Sequence, residues 1–207
     1  MRDLDSRRRG SNPRHPTNCS MTSGLTKFEA QAGDDWQRYR YPAVFFREET
    51  TSSWRLKIAA SNNGVRLMLR LAQLLRDPFA VLYVLLVPRG GSEAGRYQSA
   101  WLNREELTEV CERYADFWEQ DGRHHVWLYS ATDQATLVYD KHDVIYAYGP
   151  LDEFAALLEA EGFTEADELD FPVPHCHRYH AEFDAMERKL AVSVGWKHSP
   201  LQDVDEW

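Results

Sequence analysis

The sequence predicts an α+β fold, with a mixed or mainly antiparallel sheet and helices on one face of it. Three observations lead there. Residues 103–120 carry the marks of a capped amphipathic helix, residues 79–87 form a nine-residue apolar run suited to a strand covered on both faces, and shorter segments of alternating polarity flank both. Hydrophobic residues make up 43% of the 207 and aromatics 13%, ample for a core.

The helix is the firmest element. Asn103 is placed to accept from the free N–H groups of the first turn, and Glu106 to reach back to the Asn103 N–H, which is the capping-box pattern. Leu102 and Leu107 fit a hydrophobic staple. Leu107, Val110, Cys111, Tyr114, Phe117 and Trp118 recur at helical spacing, and Gly122 follows where a chain leaving a helix often needs positive φ.

Residues 1–24, with Arg7, Arg8, Arg9, Pro13 and Pro16 and no hydrophobic period, read as a disordered leader. Asp3, Asp5 and the prolines spoil a transit-peptide helix, and Met21 is an alternative start. Residues 25–198 are expected to form a single α+β domain and 199–207 a loose tail.

Strands are expected at 42–48 and 53–60, where Trp54, Leu56 and Ile58 alternate with Arg55 and Lys57. A largely buried helix follows over 63–76, with a polar stripe at Arg66, Arg70 and Gln73. Asp77-Pro78 ends it. After the apolar strand come a loop at 88–95 and an extended segment over 96–102. Strands at 124–130, 135–139 and 144–148 follow the capped helix, the last two a hairpin around Lys141 and His142.

Pro150 opens another helix with Phe154, Leu157 and Leu158 inward, closed at Gly162 in a Schellman pattern with Phe163. Residues 164–171 read as acidic loop, and 177–194 as a last helix burying Tyr179, Phe183, Met186 and Leu190. From 54 to 130 the order is strand, helix, strand, strand, helix, strand. That is the order of a ferredoxin-like unit, to be extended by the hairpin and two helices.

The net charge of −9 is unevenly spread: +3 over residues 1–20, +4 over 21–102 and −16 over 103–207. Such asymmetry marks a partner-binding face or lets two parts of one fold attract each other. The apolar run is about half of what a membrane helix requires, so no membrane span is expected, and no apolar h-region near the start reads as a secretory signal. Cys19, Cys111 and Cys176 are too scattered for a disulfide framework, which suits a reducing, cytoplasmic setting.

The densest chemical cluster is His175-Cys176-His177-Arg178-Tyr179-His180. On a helix starting near His177, the side chains of His177, His180, Asp184 and Glu187 share one face and, with His175, could hold Zn²⁺ for hydrolysis. Weighed against that is the ordinary polar stripe of any surface helix. Cys176 is a weaker candidate as a thiol nucleophile. Gly90 and Gly95 have the spacing of a phosphate loop, but Arg96-Tyr97 stands where Lys and Ser or Thr are needed, so a plain turn is expected.

Arg38, Arg40, Arg47, Arg55, Lys57, Arg66, Arg70 and Arg76, interleaved with Trp36, Tyr39, Tyr41 and Trp54, offer a nucleic-acid surface. The acidic half argues against it, and pairing of these arginines with that half is the plainer expectation. Glu165, Asp167, Glu168 and Asp170 lack the offsets of a Ca²⁺ loop. His124 and His125, adjacent on a strand, point to opposite faces, one to core and one to solvent.

The first reading is therefore a non-catalytic binding protein, meeting a basic protein partner through Glu105, Glu109, Glu112, Asp116 and Glu119. The second is a small metal-binding hydrolase centred on His175, His177 and His180, with Asp184 as a further ligand and Zn²⁺ as a candidate ion. Nucleic-acid binding through 36–76 is the third.

Overall fold

The computed structural model describes residues 24–61, 63–193 and 195–205. The expected leader, apart from Gly24, lies outside them. The chain starts with a hairpin of β1 (Phe28–Ala32) and β2 (Asp35–Arg38), continues through β3 (Val44–Glu49) and β4 (Trp54–Ala59), and enters α1 (Gly64–Ala72). Next are β5 (Phe79–Leu85), β6 (Gly95–Gln98), α2 (Arg104–Gln120), β7 (His124–Ser130), β8 (Ala135–Tyr139) and β9 (Val144–Tyr148). The last part holds α3 (Leu151–Ala160), the short strands β10 (Thr164–Glu165) and β11 (His175–His177), α4 (Asp184–Ala191) and β12 (Lys197–Ser199).

These strands make a nine-stranded sheet, in the order β10-β3-β4-β9-β8-β7-β5-β6-β12, and a three-stranded sheet, β11-β1-β2. Every pairing is antiparallel except β10 with β3. One face of the large sheet offers Phe45, Leu56, Ile58, Val81, Leu128, Leu137 and Ile145 to the helices, which answer with Leu71, Phe117, Trp118, Phe154 and Leu190. The α+β class with helices on one face is thus what the structure has. The opposite face carries Ala59, Val138, Val144 and Tyr146, and Phe28 of the small sheet packs on it together with Tyr41.

The capped helix is as expected. Asn103 Oδ1 accepts from the Glu106 N–H at 3.0 Å, and Glu106 Oε2 accepts from the Asn103 N–H at 2.8 Å. The Schellman closure of α3 is also present: Gly162 takes φ of 91°, and Phe163 N donates to Leu158 O at 3.0 Å.

Several expectations need correction. The four strands of the 54–130 unit are not neighbours in ferredoxin-like order, because the β8–β9 hairpin is inserted between β4 and β7, and β7 pairs with β5. Hairpin strands pair locally and fill the middle of the sheet rather than its margin. The last helix begins at Asp184, not His177. The backbone of 178–180 is spent elsewhere: Arg178 N donates to Lys27 O at 2.8 Å, Gly122 N to Arg178 O at 2.9 Å, and His180 N to Asp121 Oδ2 at 2.7 Å. Those bonds extend the sheet and preclude a helical turn. Residues 203–205, expected to be loose, form a helical turn in which Asp205 is buried 3.6 Å from Arg96.

Candidate metal centre

The β8–β9 turn is built around one buried carboxylate. Asp140 has no exposed side-chain surface. Its Oδ1 accepts the backbone N–H groups of His142 at 2.8 Å and Val144 at 2.9 Å, and its Oδ2 lies 2.9 Å from His142 Nδ1. Asp143 completes the turn at φ 63°, a left-handed conformer that Asp tolerates, and its carboxylate accepts the Tyr139 hydroxyl. Lys27 pins the turn from β1's side: its Nζ donates to Asp140 O at 2.7 Å and lies 3.4 Å from the centre of the Tyr139 ring.

Burial acts to raise the Asp140 pKa, but the His142 bond, the neighbouring His142 and His125 rings and the Val144 N–H outweigh it, leaving it below the ordinary value. An ionised Asp140 holds the proton of His142 on Nδ1. The Nε2 lone pair is then available to a ligand, the arrangement in which an outer carboxylate orients a metal-binding imidazole.

His175 and His177 arrive on β11, which pairs with β1 in the register His175 to Ala30 and His177 to Phe28. Side chains two apart on a strand lie on the same face, so His-x-His here brings two imidazoles together. The three rings form a triangle, with centres 5.3 Å apart for His142–His175, 4.9 Å for His142–His177 and 5.3 Å for His175–His177. One potential ligand nitrogen from each lies within 4.8 Å of the others. Phe28 and Phe171 wall the cluster, Phe171 standing edge-on to His142 at 4.8 Å and to His175 at 4.7 Å.

Burial first, and then the neighbouring His142, lower the pKa of His175 and bring His177 down to about 3. Both rings are therefore neutral at pH 7 and have no proton to lose on binding a cation. His177 Nδ1 is buried and has no hydrogen-bond partner among the described residues. Gly122 makes room for this ring: a Cβ there would stand 3.2 Å from His177 Cβ and 2.6 Å from Lys27 O. Close approach, not the expected positive φ, is the reason for this glycine.

Of the expected metal ligands, the structure brings His175 and His177 together and takes the others away. His180 turns back, with Nε2 2.9 Å from Thr26 O. Asp184 and Glu187 engage Arg123, at 3.1 and 2.7 Å. In the sequence His142 reads only as part of a turn. The missing signal was the period: His175 and His177 suit a strand, and a third ligand from a hairpin turn far away in sequence announces itself only through Asp140 two residues before it.

The Gly90 loop does cradle an anion, but the anion is Glu187, which accepts from the N–H groups of Arg89 (3.0 Å), Gly90 (2.9 Å) and Ser92 (3.2 Å). Glu105, Glu109, Glu112 and Asp116 are exposed on α2, whereas Glu119 is half-buried and accepts from Val65 N at 2.9 Å. Many of the arginines are spent in pairs with the acidic half: Arg47 with Asp152 and Glu165, Arg70 with Glu161, Arg76 with Asp133. His124 and His125 point to opposite faces, yet both are buried, because β1 and its neighbours cover the face that was expected to be open.

Comparison with known proteins gives no match: no family model fits the chain, and no curated protein or solved structure is significantly similar to it. No helix among the described residues is long and apolar enough to cross a membrane. The case for a function rests on the chemistry of the histidine cluster.

Proposed function

We propose that this chain is a metalloprotein that binds one divalent transition-metal ion, of the zinc class, through His142, His175 and His177. The observation that carries the reading is the convergence of three imidazoles, from a hairpin turn and a separate strand, with Asp140 fixing the tautomer of one of them. Imidazole suits Zn²⁺, Cu²⁺, Ni²⁺ and Fe²⁺, and zinc is the simplest occupant of a three-imidazole set.

Three neutral ligands leave the ion its full double charge and a fourth position for water or substrate, and the His142 side chain is 17% exposed. An ion so held lowers the pKa of bound water to about 7, which supports hydrolytic chemistry. This chain's own contribution is to hold the three rings, to keep His142 in one tautomer and to wall the site with Phe28 and Phe171.

Untagged protein, stripped with a chelator and titrated with Zn²⁺, should take up one equivalent. His142→Ala, His175→Ala and His177→Ala should each weaken binding by about 100-fold or more, and His180→Ala should not. A protein that retains no metal, or in which His142→Ala and His180→Ala behave alike, overturns the reading. A basic partner for the acidic face of α2 is supported by charge alone, and nucleic-acid binding is disfavoured by the paired arginines.

A further inference from the structure

Tyr41, whose ring lies 6.1 Å from that of Phe28, also lines a cavity of about 370 Å³ at the junction of β4 and α1. Tyr41, Pro42, Leu67 and Phe163 give it apolar walls, and Arg40, Arg66 and Arg70 stand around it with, among the described residues, a single carboxylate, Glu161. That carboxylate is taken: Glu161 Oε1 accepts from Arg70 Nε and Nη2, both at 2.8 Å. Arg40 and Arg66 have no side-chain partner among the described residues.

Their neighbours in sequence are different. Arg47, Arg55, Arg76, Arg89 and Arg96 all meet carboxylates, and Arg104 donates to the carbonyls of Ala72 and Leu75. The two guanidiniums this stretch leaves uncompensated thus open on the same cavity. Arg66 and Arg70 are also one helical turn apart on α1, where like charges repel unless something screens them.

We propose that this cavity binds a small phosphate monoester, with the dianionic group between Arg40 and Arg66 and an apolar body against Tyr41, Leu67 and Phe163. Two guanidiniums without carboxylates call for a ligand of two negative charges, and their planar forks match phosphate oxygens. A volume of about 370 Å³ is that of a small-molecule pocket and exceeds what inorganic phosphate fills. The helix N-terminus itself is not part of the case, since Glu119 already accepts from Val65 N.

The test is calorimetric titration of chelator-treated full-length protein with phenyl phosphate and, separately, inorganic phosphate, at about 0.15 M salt to suppress weak surface attraction. Phenyl phosphate should bind saturably and about tenfold or more tighter than inorganic phosphate. Arg40→Ala and Arg66→Ala should each weaken it about tenfold or more. Arg113→Ala, which removes an exposed cation on α2, should leave it unchanged. Arg40, Arg66 and Arg113 are exposed, so thermal unfolding of the three arginine variants should match the parent and exclude misfolding. Absence of saturable binding, equal binding of the two phosphates, or indifference to Arg40→Ala and Arg66→Ala overturns the proposal. Because the titration uses metal-free protein, its outcome is separate from that of the zinc titration.

Discussion

His142 Nδ1 lies 2.9 Å from Oδ2 of a fully buried Asp140, whose other oxygen accepts the backbone N–H groups of His142 and Val144. One carboxylate thus closes the turn and sets the tautomer of the ring it carries. Asp140→Asn cannot do both: an amide has one acceptor oxygen, and its NH₂ group must face either the ring or the backbone donors. With the amide facing the ring, the Nε2 lone pair is lost. Zinc affinity should fall by about 10- to 100-fold, read by titration of the metal-free protein. An unchanged affinity would show that the Asp140–His142 pair has no part in binding.

Lys27 gives the stability a pH signature. Burial is the largest influence and brings its pKa from 10.5 to about 8, while Asp143, Asp140, Glu119 and Asp121 limit the fall. Below pH 8 both folded and unfolded chains carry the proton, and the burial cost is fully present. Between about 8 and 10.5 the unfolded chain keeps the proton that the folded one has lost, so stability rises with pH. Tyr41 and Tyr146, with pKa values raised by burial, act in the opposite sense from about pH 10 upward. Cys111, whose thiol pKa burial raises from 9 to about 12, opposes the rise from about pH 9. The urea midpoint should therefore climb between pH 8 and about 9.5 in the native chain and should not climb in Lys27→Met. A level native profile would count against a buried, protonated Lys27.

Gly64 opens α1, where alanine would normally be worth about 1 kcal/mol more than glycine. A Cβ there would stand 2.2 Å from Cζ of Tyr139, whose ring is backed by Lys27 and cannot retreat. Overpacking should win, so Gly64→Ala should cost about 1–3 kcal/mol in chemical denaturation. The same change in a Tyr139→Leu background should be neutral or stabilising, since the obstructing ring is gone. A loss of equal size in both backgrounds would assign the cost to the backbone.

How far the sequence spoke for itself depended on the range of the signal. The Asn103–Glu106 box, the Gly162–Phe163 closure and the alternation at Trp54, Leu56 and Ile58 are local, and each was legible. β11 and β12 are not legible, because strands of three residues with mixed polarity draw their pairing from distant partners, Phe28 with His177 and Gln98 with Lys197. The β1–β2 hairpin pairs locally, but its strands of four and five residues have too mixed a polarity to show a period. The same limit hid the metal candidate. His175 and His177 looked like the start of a helix because Tyr179, Phe183, Met186 and Leu190 keep a helical rhythm. The Lys27 and Asp121 acceptors that hold residues 178–180 extended lie more than fifty positions away. Asn103→Ala should cost about 1 kcal/mol in chemical denaturation, since it removes the acceptor for the Glu106 N–H in the first turn.

Fold and candidate site are also linked through Arg123, which is fully buried. Its Nε and Nη2 grip Asp121 at 2.7 and 2.9 Å, its Nη1 meets Glu187 at 2.7 Å, and Nη2 also donates to His180 O at 2.7 Å. Asp121 in turn accepts from His180 N, and Gly122 N holds Arg178 O, so the exit of β11 is fixed by the same node. Arg123→Met leaves two buried carboxylates without their cation and should cost about 3–5 kcal/mol. Lysine cannot replace it, because a single ammonium does not span Asp121, Glu187 and a carbonyl at once. Glu187→Gln should be milder, about 1–3 kcal/mol, since an amide oxygen still accepts from the Gly90 loop. If β11 is held in this way, Arg123→Met should also loosen zinc binding while His142, His175 and His177 are all intact, whereas Glu187→Gln should not. Equal zinc affinity in Arg123→Met and the parent, measured below the variant's unfolding temperature, would separate the ion cluster from the metal site.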